Sequence, residues 1–190
     1  MNSPTAKRPT PRAKDELSGW GIGERVERIG GREYRLPTSI PRRHREISRA
    51  LFVQFHAHAG DTGCAVFYAP FEVRFPVPRG KERNVVQPDL VLVCDPAKVG
   101  RFGCRGAPDL IVEIVTSQTY HRDTVEKLRL YEEMGVAEYW IVFPDRETIA
   151  VHRLGGRGVY AKPRTYTKTA AVQVASLGHG RIDLTAVFPA

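Results

Sequence analysis

The sequence predicts an α/β (α+β) domain in which a mixed β-sheet is flanked by helices and carries additional β-hairpins. Runs rich in Val, Ile, Leu and Phe, of strand length, recur at 65–75, 89–94, 110–115 and 139–143. Two stretches, 42–59 and 124–134, repeat apolar residues at helical spacing between start and stop signals. Strands precede, separate and follow these helices, the order expected of a mixed sheet.

The chain has 190 residues, 42% hydrophobic and 26% charged, enough to bury the core of one domain, predicted over residues 17–190. Residues 1–16 hold Pro4, Pro9 and Pro11 among Lys and Arg with little to bury, and are predicted to be a disordered basic tail. Lys and Arg together number 29 against 21 acidic residues, a net charge of +8, and residues 1–50 carry 12 basic and 6 acidic side chains of these. Arg outnumbers Lys 22 to 7, so an anionic partner such as nucleic acid enters consideration beside a merely solvated basic tail. No apolar run reaches membrane-spanning length and no secretory signal is evident, so a cytoplasmic location without a membrane partner is expected. Cys64, Cys94 and Cys104 form no CxxC pair and are expected to be buried thiols.

Alternation about Gly30-Gly31, with Val26, Ile29, Tyr34 and Leu36 apolar, predicts a β-hairpin over 25–36. Pro41 opens a helix over 42–59, closed at Gly60. Strands follow at 65–75, with Pro70 a candidate break, then at 89–94 and 110–115. The second helix is predicted over 124–134, with Asp123 and Glu126 spaced as a capping box and Gly135 at its end. Strands or hairpins are expected at 139–143, 148–152, 159–166 and 181–188, with Gly155-Gly156-Arg157-Gly158 as a hairpin tip. Trp140 and Trp20 read as core.

Three residues stand out against these patterns. Glu113 is a lone carboxylate in the strand Leu110-Ile111-Val112-Glu113-Ile114-Val115, on the face shared by Ile111 and Val115 that the following helix should cover. Burying it there costs several kcal/mol unless a cation pairs with it. Asp89 opens another buried strand. Asp109 is a rival, but four strand positions place it roughly 13 Å from Glu113. Lys127 is the one charge inside the apolar arc of Val125, Leu128, Leu130, Tyr131 and Met134, where either its stem snorkels to solvent or its ammonium faces Glu113. Two acids and a lysine are the set used in metal-dependent phosphodiester hydrolysis, although the spacing alone is weakly specific. On the first helix His44 lies in the inward stripe of Ile47, Leu51 and Phe55, whereas Glu46 points away.

Val86-Gln87-Pro88-Asp89-Leu90-Val91-Leu92-Val93, Gly106-Ala107-Pro108-Asp109-Leu110-Ile111-Val112-Glu113-Ile114-Val115, then Asp123, Lys127 and Tyr131, and Gly135-Val136-Ala137-Glu138-Tyr139-Trp140-Ile141-Val142 resemble the Uma-type putative restriction endonuclease family, a branch of the PD-(D/E)XK nuclease superfamily. The resemblance is dense over residues 84–144, with weaker matches at Ile29 to Tyr34, His44 and Ala69 to Val73. It implies a restriction-endonuclease-like core and a Mg²⁺- or Mn²⁺-dependent endonuclease acting on DNA. In that reading Asp89, Glu113 and the backbone carbonyl of Ile114 are metal ligands, Lys127 is the catalytic lysine, and His44, Asp123 and Tyr131 are supporting residues. It also makes a homodimer plausible. Two departures stand: Val115 occupies the position of the usual motif lysine, which passes that role to Lys127, and Val115-Thr116-Ser117-Gln118-Thr119 lacks the loop proline of the family. The alternatives from other classes are a nucleic-acid-binding module with a degenerate nuclease core and a scaffold protein on the same fold.

Overall fold

The computed structural model describes residues 25–37, 39–76 and 84–188. The expected tail at 1–16 and Trp20 lie outside the described residues. The elements run β1 (Val26–Ile29), β2 (Arg32–Arg35), α1 (Arg42–Ala59), β3 (Ala65–Tyr68), β4 (Glu72–Phe75), β5 (Asn84–Val86), β6 (Leu90–Val93), β7 (Gly103–Arg105), β8 (Leu110–Ile114), α2 (Lys127–Glu133), β9 (Glu138–Phe143), β10 (Thr148–Arg153), β11 (Arg164–Thr167), β12 (Ala171–Gln173), β13 (Arg181–Asp183) and α3 (Leu184–Val187). A π-helical turn, Arg122–Glu126, leads into α2.

Six strands form the central sheet in the order β11-β10-β9-β8-β6-β3, and five form a second sheet in the order β2-β1-β5-β4-β7; β12 and β13 pair separately. Within the central sheet β8 and β9 are parallel, as a strand–helix–strand crossover through α2 requires, and the other pairs are antiparallel. The sheet is therefore mixed.

Strand alternation assigns its two faces. Leu110, Val112 and Ile114 of β8 pack with Trp140 and Val142 against Ile47, Leu51 and Phe55 of α1. Those α1 residues recur every four positions, one side of a helix. Ile111 and Val115 face the other way, into a core shared with Leu130 and Tyr131 of α2 and with Val73, Phe75 and Val86 of the second sheet. Trp140 is fully buried, its ring 5.3 Å from that of Phe55. Trp140→Ala is expected to cost about 3–5 kcal/mol by cavity formation, read as a lowered urea midpoint.

Several local expectations are revised. The hairpin forms, but its inward residues are Glu27 and Ile29 rather than Val26 and Ile29. Gly60 keeps right-handed backbone, and the left-handed stop falls at Gly63, φ 73°, after a further short turn. The 65–75 run does break at the candidate Pro70, and the resulting β3 and β4 join different sheets. Helical backbone begins ahead of Asp123, whose N–H donates to the Thr119 carbonyl at 2.9 Å, so Asp123 is inside the helical segment and not its cap. The π turn there rotates Val125 off the buried face, which runs through Asp123, Lys127, Leu130 and Tyr131. Gly135 does close α2, with φ 80°. Cys64 and Cys94 are joined by a disulfide, where thiols were expected, because pairing β3 with β6 sets Ala65 opposite Val93 and so draws the adjoining cysteines together. Cys104 is a buried thiol whose pKa burial pushes up to about 11. Among the described residues, no helix is long and apolar enough to cross a membrane.

Candidate active site

β6 and β8 are antiparallel neighbours with Leu90 opposite Val112, so extending the register by one residue brings Asp89 level with Glu113. Asp89 reaches over the sheet end: its Oδ2 accepts the Ile114 N–H at 2.7 Å and lies 3.2 Å from His44 Nε2 on α1. Asp109, the rival acid, accepts the Cys94 N–H at 2.7 Å instead, which occupies it in a structural turn.

Glu113 is buried beneath α2. Its Oε1 accepts from Lys127 Nζ and from the Tyr131 hydroxyl, each at 2.8 Å. Lys127, 2% exposed, therefore does not snorkel. Its ammonium also lies 2.8 Å from Glu27 Oε1 and 3.6 Å from Asp123 Oδ1, so three carboxylates surround one buried cation. Glu27 Oε1 further accepts the Gln87 N–H at 2.9 Å, and Arg122 Nε lies 3.5 Å from Glu27 Oε2. Among the described residues, Glu27 Oε2, Asp123 Oδ1 and Arg122 Nε are buried without a hydrogen bond.

The electrostatics follow from burial and from this excess of carboxylates. Burial lifts the Glu113 pKa well above its ordinary range; Lys127 opposes that, while Asp123, Asp89 and Glu27 add to it. Burial raises Asp123 likewise, against the pull of Lys127. For Lys127 burial disfavours the charged form, but Glu113, Glu27 and Asp123 more than reverse it, and the pKa is raised. Lys127 is thus a fixed ammonium and not a proton acceptor near neutral pH. Removing one carboxylate from so acidic a cluster should be tolerated. Glu27→Gln is expected to change stability by less than about 1 kcal/mol in metal-free urea titrations, since the amide oxygen can still accept from Lys127 and Gln87.

Asp89, Glu113, Ile114, His44, Asp123 and Lys127 line one cavity of about 470 Å³, with Arg25, Glu27 and Arg122 at its sides. The loop from β8 to the helix borders it and is pinned by a reciprocal pair: Thr116 N–H donates to Thr119 Oγ1 at 3.1 Å, and Thr119 N–H to Thr116 Oγ1 at 3.3 Å. These bonds hold a loop that has no proline between Val115 and Thr119.

The donor chemistry fits a hard divalent cation. Among the described residues, Asp89 Oδ1 and Glu113 Oε2 take no hydrogen bond, and both side chains line the cavity. No group of three or more His, Cys, Asp or Glu side chains among the described residues is arranged to hold a metal on its own. Two carboxylates supplemented by water and substrate oxygens are what Mg²⁺ commonly accepts.

Asp89, Glu113, Ile114, Lys127, His44, Asp123 and Tyr131 all lie at this cavity or touch a residue that does. Tyr131 holds Glu113, and Asp123 faces the ammonium rather than capping the helix. Glu27, Gln87 and Arg122 escaped the sequence reading. Glu27 did leave a signal, since it lies two residues before the inward Ile29 and so shares its strand face. Glu46 pairs with Arg42 on the outside of α1, His58 Nε2 lies 2.9 Å from the Arg181 carbonyl and His56 stacks on Phe52, so none of these joins the site.

Residues 20–185 match the Uma2 family, described as "Putative restriction endonuclease". Among solved structures, a putative nuclease from Anabaena variabilis superposes with a TM-score of 0.68 over 86% of this chain and 89% of that one, at 16% identity, a likeness of fold. No curated protein matches in sequence.

Proposed function

Because the chain belongs to the Uma2 family and has a restriction-endonuclease-like core, we propose that it is a divalent-metal-dependent nuclease that hydrolyses phosphodiester bonds of DNA. The observation that carries this reading is the convergence of Asp89, Glu113 and Lys127 on one cavity, with the Lys127 ammonium 2.8 Å from Glu113 Oε1. In it Asp89, Glu113 and the Ile114 carbonyl would hold Mg²⁺ or Mn²⁺. When bound, the ion supplies Lewis-acid polarisation of a phosphoryl oxygen.

The chain's own groups do the positioning. Ile114 N–H and His44 fix Asp89 by Oδ2, leaving Oδ1 without a hydrogen bond among the described residues, and the Tyr131 hydroxyl fixes Glu113 by Oε1. Glu27 and Asp123 hold the Lys127 ammonium beside Glu113, where its charge offsets negative charge building on the phosphoryl oxygens. Purified protein with supercoiled plasmid and Mg²⁺ or Mn²⁺ is expected to give nicked or linear product. Absence of cleavage with either metal on plasmid, branched and single-stranded DNA would contradict the reading.

A pH dependence follows. Glu113 and Asp123 both have folded-state pKa values above the ordinary carboxylate value, so between the two values the folded chain holds more protons than the unfolded one. Metal-free stability should therefore fall as pH rises through that window, while divalent-ion affinity rises as Glu113 ionises. Urea unfolding in EDTA and calorimetry with Mn²⁺, each across pH, measure the two slopes; slopes of the same sign would contradict the assignment.

A further inference from the structure

A second cavity, of about 440 Å³, shares His44 and Asp89 with the first and runs along the outside of α1. Arg45, Arg49 and Phe52 line it from successive turns of the helix, at spacings of four and three residues that place them on one face. Tyr68 closes the far side. It ends β3, the edge strand of the central sheet, and pairs with Leu90, one position from Asp89. Its ring meets that of Phe52 edge-on at 5.1 Å, and Phe52 in turn stacks on His56, yet Tyr68 remains 61% exposed. Its ring is thus open to solvent at the mouth of the cavity.

The charge beside it is positive. Arg45 and Arg49 are exposed, and among the described residues the one hydrogen bond from the Arg45 side chain is a 3.5 Å contact from Nε to the Ile40 carbonyl. Arg49 has no ion pair among the described residues. Guanidinium groups in a row next to an open aromatic face offer one contact to phosphate and one to a base. In an intact duplex each base face is covered by its neighbours, so stacking on Tyr68 requires an unpaired nucleotide.

We propose that this groove seats a single-stranded DNA segment adjoining the bond to be cut, with a base stacked on Tyr68 and phosphates on Arg45 and Arg49. The assignment rests on reading Asp89 as part of a phosphodiester-cleaving site. It names the substrate form, DNA with an unpaired stretch beside the cleavage point, such as a flap, fork or frayed end.

The test is fluorescence anisotropy in EDTA with the full chain, using a labelled single-stranded DNA oligonucleotide, the blunt duplex of the same sequence and the matching RNA. Single-stranded DNA should bind more tightly than either. Tyr68→Ala should weaken it by roughly ten-fold or more, with Tyr68→Trp restoring affinity, as for base–aromatic stacking. Arg45→Ala and Arg49→Ala should each flatten the logarithmic salt dependence by about 0.7. Because these side chains are exposed, the variants should keep the wild-type thermal midpoint. Unchanged affinity in Tyr68→Ala, preference for the duplex or for RNA, or a self-association that Tyr68→Ala abolishes would overturn the assignment. Tyr68-dependent binding in a protein that cuts nothing would sink the nuclease reading alone; cleavage indifferent to Tyr68 and to strandedness would sink the groove alone.

Discussion

Lys127→Met is expected to lower cleavage by about 10²- to 10⁴-fold, the range of a positioned charge-stabilising group, and to destabilise the fold by about 3–5 kcal/mol. Both effects have one cause. The ammonium is the counter-charge within 4 Å shared by Glu27, Glu113 and Asp123, and methionine matches its length without its charge. Removing the cation leaves buried carboxylates that must either repel one another or take up protons. The stability loss should therefore shrink at low pH, and Glu27→Gln in the Lys127→Met background should recover part of it, a coupling that a double-mutant cycle measures. Lys127→Arg keeps the charge but is too large and planar for a position bonded to two carboxylates at 2.8 Å, so it should restore stability only in part and activity hardly at all. Near-normal cleavage by Lys127→Met would remove Lys127 from the site.

Glu113→Gln is expected to abolish cleavage, with at least a 10³-fold loss, and to leave metal-free stability unchanged or slightly raised near neutral pH. The amide is close to isosteric, its oxygen can still accept from Tyr131 and Lys127, and it removes a carboxyl that burial and three neighbouring acids hold well above its ordinary pKa. Lys127 retains Glu27 and Asp123 as partners. The same substitution should remove most of the pH-dependent fall in metal-free stability. Plasmid cleavage and urea midpoints separate the outcomes: retained cleavage excludes Glu113 from the chemistry, and a loss of several kcal/mol would make it chiefly an ion-pair partner of Lys127.

How far these residues were legible depended on whether their placement was local. The stripe of Ile47, Leu51 and Phe55 identifies the buried face of α1, and the alternation around Glu113 assigns both faces of β8, because each is a periodicity within one element. Lys127 was visible as a charge on an apolar face, and the structure gives the reason in Glu113. Glu27 was not visible in this role, since it reaches Lys127 across about a hundred residues of sequence and its hairpin was registered on Val26. Asp123 was read as a helix cap because its spacing to Glu126 satisfies that pattern; the π turn that carries it inward leaves no periodic trace. The strands β5, β7 and β12 have three residues each, too few to alternate detectably, and exist through pairing with distant partners. The Cys64–Cys94 disulfide is likewise a product of strand pairing, 30 residues apart without a motif.

The central claim, that Asp89 and Glu113 hold a divalent cation beside Lys127, is tested most directly by a crystal of the wild-type chain soaked in Mn²⁺ above pH 7 and measured for anomalous scattering. The account predicts a peak shared by the Asp89 and Glu113 carboxylates that is lost in Glu113→Gln. No peak at that position under saturating Mn²⁺, or a peak that survives Glu113→Gln unchanged, would contradict it.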